Sequence, residues 1–209
     1  MASQWERLLT NRGTWVGSFT RMSPTGTVLE DIPTEVSLQP LHNGSAMRQV
    51  VRRCPPGQPV DETTLEYRSL GRGVLFCATG AFSQGSLQWS PVSDFGAELG
   101  LIHQAERLRV ALTFLRQPTL GNLTLIREHL QDAKPEQRPA LSLDQLLGTW
   151  IGQATTVFPD WQPEQSMETQ LTLRSLGAGI VEQSLQFSDA PPIQSQGMQD
   201  GQRLQFQQG

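Results

Sequence analysis

Gly13-Thr14-Trp15-Val16-Gly17 returns 135 residues later as Gly148-Thr149-Trp150-Ile151-Gly152. Each copy follows a short amphipathic stretch. In Gln4–Leu9 the apolar residues Trp5, Leu8 and Leu9 stand at i, i+3 and i+4, one face of a helix. Leu141-Ser142-Leu143-Asp144-Gln145-Leu146-Leu147 has similar apolar spacing. Beyond Gly13 the period becomes two: Trp15, Gly17 and Phe19 share one face of a strand, and Val16, Ser18 and Thr20 the other. A helix running into a tryptophan strand, met twice, predicts two copies of one unit.

Short strand-like runs follow the first copy at a regular beat. They lie near Thr34–Gln39, Ala46–Arg53, Thr64–Ser69, Gly73–Ala78, Ser83–Trp89, Ala97–His103, Leu108–Phe114 and Gly121–Leu130. Turn signals part them, among them Ser23-Pro24-Thr25-Gly26, His42-Asn43-Gly44 and Gln117-Pro118-Thr119-Leu120-Gly121. Many short strands at this spacing predict an all-β sandwich or antiparallel barrel. The polar, proline-bearing stretch at 131–140 reads as a linker between a barrel at 1–130 and the start of a second repeat at 141–209. The first copy offers about nine strands, enough to close a barrel of ~8. The second offers about four, the Trp150 strand and runs near Met167–Arg174, Gly179–Phe187 and Gln202–Gln207, too few to close. It packs on the first copy, pairs with another chain, or is part of a longer second barrel.

The net charge of −4 argues against a nucleic-acid partner, which calls for a basic surface. Arg48, Arg52 and Arg53 form a candidate local basic patch. No apolar run approaches the ~20 residues of a membrane span. The opening Met-Ala-Ser-Gln-Trp-Glu-Arg lacks a signal peptide's basic flank and apolar core, so a cytoplasmic protein is expected. Cys54 and Cys77 fit that compartment as free thiols and are too few for a zinc motif.

The helix followed by Gly-x-Trp resembles the opening of the lipocalins and the wider calycins. That resemblance implies a barrel whose closed end is plugged by Trp15, with Trp150 its counterpart, and an arginine from a late strand packed across the indole. Arg127 is the candidate for that arginine. Further strings, Phe95-Gly96-Ala97-Glu98-Leu99-Gly100-Leu101-Ile102-His103 and Leu123-Thr124-Leu125-Ile126-Arg127-Glu128-His129-Leu130, resemble an uncharacterised cyanobacterial calycin family. The same resemblance extends to the phycobiliprotein lyases, which hold a linear tetrapyrrole and deliver it to a phycobiliprotein; none of their functional residues maps onto this chain.

Strand parity proposes the lumen. If Leu99 and Leu101 face inward, so does His103; if Leu123 and Leu125 do, so do Arg127 and His129; if Leu65 does, so does Tyr67. Tyr67, His103, Arg127 and His129 are therefore the candidate ligand-binding residues. Their cationic, hydrogen-bonding edge suits an apolar ligand carrying carboxylates, such as a fatty acid or a bilin. Each also has an ordinary structural use, Arg127 as the Trp15 partner above all. Glu98 and Glu128, on the opposite parity, are expected on the outer face. No nucleophile elbow, metalloprotease helix or phosphate loop is present in the sequence. Three readings stay open: a carrier of a hydrophobic or tetrapyrrole ligand, an assembly protein of the photosynthetic apparatus with a filled barrel, and an enzyme, lyase-like or built like the barrel isomerases and cyclases.

Overall fold

A computed structural model describes residues 2–116, 119–135, 139–159, 162–188 and 190–206. Parts of the expected 117–121 turn, the expected linker and the end of the last strand (residues 117–118, 136–138 and 207) lie outside them. The chain divides into two compact units, Met1–Glu136 and Gln137–Gly209. Both are antiparallel β-structures, and among the described residues no helix is long and apolar enough to cross a membrane.

The first unit opens with a one-turn helix, α1 (Gln4–Leu8). Nine strands follow: β1 (Gly13–Met22), β2 (Val28–Leu41), β3 (Ala46–Arg53), β4 (Asp61–Tyr67), β5 (Val74–Phe76), β6 (Phe82–Gly85), β7 (Phe95–His103), β8 (Glu106–Phe114) and β9 (Leu120–Leu130). They form one curled sheet in the order β4-β3-β2-β1-β9-β8-β7-β6-β5. Strand β1 sits at its centre, with Trp15 opposite Val36 on β2 and Leu130 on β9.

The sheet does not close through β4 and β5; α1 ties its two ends instead. Trp5 Nε1 donates to the carbonyl of Gly44, in the β2–β3 turn, at 2.6 Å. On the other side the Gln4 amide brackets Phe76 of β5, donating to its carbonyl at 3.0 Å and accepting from its N–H at 2.6 Å. Ser3 and Glu6 close a capping box that starts the helix in this position. Leu8 then packs with Leu38, Met47 and Phe76 in the core, Met47 being wholly buried. Burial of such side chains contributes about 1.5–3 kcal/mol each.

The expected basic patch is neutralised. Arg48 pairs with Glu66, Arg52 with Glu35 and Glu62, and Arg53 with Asp61 across neighbouring strands. Cys54, exposed, and Cys77, half-buried, are not joined by a disulfide.

The second unit repeats the opening of the first at atomic detail. Its helix α2 (Leu143–Leu146) is capped by Ser142 and Gln145. Strands β10 (Gly148–Thr156), β11 (Gln165–Gly177), β12 (Ile180–Phe187), β13 (Ile193–Asp200) and β14 (Arg203–Phe206) follow in sequential order in their sheet. The sequence reading missed β13, where Gln194, Gln196 and Gln199 mask the alternation. Gly13 and Gly148 both turn at positive φ, +128° and +126°. Trp15 Nε1 donates to the carbonyl of Asn11 and Trp150 Nε1 to that of Leu146, each four residues back and each 2.9 Å. Trp15 is buried, whereas Trp150 is half exposed.

Candidate functional site

The register decides which side chains face the inside of the curl, because directly opposed residues share a face. From Trp15, Gly17 and Phe19 that face runs outward to Val36, Thr34 and Ile32 on one side. On the other side it meets Leu130, Glu128 and Ile126, and through Glu128 it reaches Arg107. The inner face of β8 is therefore Arg107, Arg109, Ala111 and Thr113, and that of β7 is Gly96, Glu98, Gly100 and Ile102. This is the reverse of the expected parity. Leu99, Leu101 and Leu108 stand on the outer face, 51%, 63% and 45% exposed.

The inversion has an electrostatic cause. Glu98, Arg107, Arg109 and Glu128, one to two residues per strand, form a closed ion cluster inside the curl. Arg109 grips Glu128 with two bonds, Nε to Oε2 at 3.0 Å and Nη2 to Oε1 at 2.9 Å, and gives Nη1 to Glu98 at 2.7 Å. Arg107 Nε donates to Glu128 Oε2 at 2.8 Å. Glu98 also accepts from the Gln84 amide at 2.8 Å. Burial pulls Arg107 below the ordinary arginine value despite Glu128. Burial is also the largest influence on Arg109, yet Glu128 and Glu98 together hold it above that value. Arg107 is the less compensated of the two.

Arg107 also sits over Trp15, its Cζ 4.3 Å from the ring centre. It, not Arg127, is the arginine across the tryptophan. Arg127 is on the outer face, exposed, and donates to Thr20 Oγ1 at 3.3 Å. His103 and His129 share that outer parity, and none of the three lines the cavity described next. Tyr67 does line it. The sequence carried a signal for the cluster: two carboxylates and two guanidiniums on one parity of three consecutive strands balance in charge.

Between this cluster and α1 lies a partly open cavity of about 360 Å³. The apolar part of its lining comes from Leu8 of α1, Val36 and Leu38 of β2, Leu65 of β4, Leu70, and Val74, Phe76 and Phe82 of β5 and β6. Asn11, Gln49, Tyr67, Gln84, Arg107 and Arg109 supply polar groups. Leu65 is half exposed at the mouth. Tyr67 donates its hydroxyl to Gln49 Oε1 at 3.2 Å, and burial pushes its phenol above the usual value. Two buried polar atoms here have no partner among the described residues, Arg107 Nη2 and Asn11 Oδ1. Among the described residues no group of three or more His, Cys, Asp or Glu is placed to hold a metal ion.

Comparison with known proteins places this architecture. Residues 1–133 match the model of the domain of unknown function DUF3598, N-terminal. Residues 137–209 match that of the C-terminal domain of Biogenesis factor required for ATP synthase 1. A crystal structure of a DUF3598 protein of unknown function from Nostoc punctiforme superposes with a TM-score of 0.89 at 40% identity, covering 100% of this chain and 76% of that one. An S-type phycobiliprotein lyase from Guillardia theta gives a TM-score of 0.45 at 10% identity, covering 62% of this chain and 92% of that one. No curated protein matches.

Proposed function

The chain belongs to the DUF3598 family, and we propose that its first unit binds a small, largely apolar molecule in the cavity under α1. The observation that carries this reading is a partly open cavity in which the apolar side chains of α1, β2, β5 and β6 face a cluster of polar ones, Gln49, Tyr67, Gln84, Arg107 and Arg109 among them, a mix found in small-ligand sites. A packed core would have no use for such a space, since interiors are filled to crystal-like density. At about 360 Å³ the cavity stands near the small end of the ~300–1,000 Å³ range of ligand pockets. It equals the liquid volume of about a dozen waters at ~30 Å³ each. A short chain or a one- or two-ring molecule fits that space. A linear tetrapyrrole, with four linked rings and their side chains, would seat only part of its length there and project past Leu65.

The test is a neutral polarity-sensitive dye, N-phenyl-1-naphthylamine, titrated into the full chain. Bright, blue-shifted fluorescence is expected, abolished by Leu65→Trp at the mouth and unchanged by Leu101→Asp on the outer face. The reverse pattern, or no binding, would remove the reading.

A second reading rests on the outer face of β7 and β8. Leu99, Leu101 and Leu108 give it an apolar surface of the kind used in protein contacts. The second unit resembles a domain of a factor named for ATP synthase biogenesis. An assembly role would use that outer surface and leave the cavity secondary. Leu101→Asp would then impair assembly in cells without changing dye binding.

A further inference from the structure

At the end of the first sheet farthest from α1, exposed apolar side chains stand on nearly uncharged connections. We propose that this end docks on the interface of a zwitterionic lipid bilayer. The proposal is independent of the cavity, which lies toward the α1 end.

Antiparallel neighbours put the connections alternately at two ends of the sheet. α1 shares one end with the connections β2–β3, β5–β6 and β7–β8, at 42–45, 77–81 and 104–105, and none of these holds a large apolar residue. The opposite end gathers β1–β2, β3–β4, β6–β7 and β8–β9. Exposed large apolar side chains collect there: Val28 and Leu29 at the start of β2, Val60 before β4, Leu87 and Val92 before β7, and Leu115 after β8. Of these six, Val92 at 79% and Leu87 at 65% are the most open.

The β6–β7 loop is built to hold its tips out. The Trp89 ring centre stands 5.6 Å from that of Phe95 and 5.7 Å from that of Phe114, an aromatic base on the outer face. Ser86 closes the neck of the loop on Gly96, donating its N–H to that carbonyl at 2.8 Å and accepting from the Gly96 N–H through Oγ at 3.3 Å. Ser90 Oγ accepts from the Val92 N–H at 3.3 Å and so fixes the turn that presents Val92. The indoles of Trp5, Trp15 and Trp150 each donate to a backbone carbonyl, whereas the Trp89 N–H has no partner among the described residues. A tryptophan with an apolar seat and a free N–H suits the boundary between lipid and water.

Charge selects the occupant. Within the four connections only Asp94 and Arg116 are charged, and they face each other at 3.7 Å. At the flanking strand ends Arg21 pairs with Glu30 at 2.6 Å and Arg53 with Asp61 at 3.0 Å. All of these charges are answered within the chain. An anionic bilayer would call for an excess of basic residues here, and a charged protein surface for an excess of the opposite sign. A neutral interface calls for neither. Protein partners are held by a contiguous, closely packed patch, whereas these side chains stand on separate loops from β4 to β7. A fluid interface receives each tip where it stands and keeps the loop backbone hydrated.

Cosedimentation of the full chain with phosphatidylcholine vesicles tests this. Binding at millimolar lipid is expected, insensitive to added salt and not raised when phosphatidylglycerol replaces part of the lipid. Leu87→Asp combined with Val92→Asp, confirmed folded by its thermal transition, should cut partition at least tenfold. Leu101→Asp, toward the α1 end, should leave it unchanged. Brominated phosphatidylcholine should quench tryptophan emission of the parent and quench Trp89→Phe less, a readout that holds if the double variant does not fold. Absence of binding, binding abolished by salt, equal loss in Leu101→Asp, or quenching unaltered in Trp89→Phe each overturns the proposal. Self-association without lipid, removed by Val92→Asp, would assign the tips to a second copy and overturns it too.

Discussion

Arg107 lies 4.3 Å over the ring of Trp15 while its Nε is bonded to Glu128, so one guanidinium joins the first strand of the unit to its last. Lysine cannot reproduce a planar stack and a directed N–H together. Arg107→Lys should cost about 2 kcal/mol, the scale of a desolvated cation–π contact. Arg107→Met should cost about 3 kcal/mol, at the low end for breaking a buried pair, because Arg109 keeps two bonds to Glu128. Urea unfolding followed by circular dichroism measures both; a lysine variant as stable as the parent would show the stack to be incidental.

Removing the shared carboxylate is worse. Glu128→Gln leaves Arg107 and Arg109 buried with Glu98 alone between them, and a loss of about 3–5 kcal/mol is expected. Adding Arg107→Met to Glu128→Gln restores the balance of Arg109 with Glu98 and should recover most of that loss. Independent, additive losses in a double-mutant cycle would contradict a coupled cluster.

Equivalent glycines in the two copies should respond differently. A Cβ on Gly17 would stand 1.9 Å from the Arg127 carbonyl oxygen, because β9 passes close behind β1. On Gly152 it would meet only Thr169 Cγ2, at an ordinary 3.7 Å. Gly17→Ala should cost about 1–3 kcal/mol through overpacking, and Gly152→Ala should stay within about 0.5 kcal/mol. Hydrogen exchange, which reads each sheet separately, makes the comparison.

On the alkaline side Tyr67 matters. Its folded-state pKa is raised by burial above the usual phenol value near ~10. The folded state therefore keeps its proton where the unfolded chain has lost it, and stability falls as pH rises through that window. Below pH ~10 the contribution is complete. Tyr67→Phe should flatten this decline. As Tyr67 is the only tyrosine, the tyrosinate absorbance of the parent reports the titration directly.

On the acid side, Asp31 is held below its usual value by the Thr20 hydroxyl, 2.6 Å away, and by Ser18. Its contribution is present above the ordinary carboxylate pKa and lost as pH falls through the lowered one. Thr20→Val should move the Asp31 carboxyl resonance in a carbon NMR titration back toward the ordinary range.

The strands were legible because their period and turn residues are local properties. Nine runs read from the sequence correspond to β1–β9, and the tryptophan repeat located the second sheet. The inside of the curl was not legible by the same rule. Leu99, Leu101, Leu123 and Leu125 invite an inward reading, which carried His103, Arg127 and His129 in with them. What overrides it is pairing across strands: Arg107 and Arg109 are buried because Glu98 and Glu128 meet them, and a strand read alone cannot show its neighbour's charge. Tyr67 lines the cavity because on β4 the inner parity is that of Leu65, as the alternation had it.

The indole hydrogen bonds described at Trp15 and Trp150 also bear on the order of folding. Each spans four residues, so closing it costs little chain entropy and needs no distant strand. The Arg107 stack, by contrast, must wait for a segment more than ninety residues further along. Since Trp150 makes its bond while half exposed to solvent, that bond does not depend on a cation above the ring. The helix and first strand can thus form an early hairpin-like seed in either unit, with the ion cluster of the first arriving as the late step that locks it.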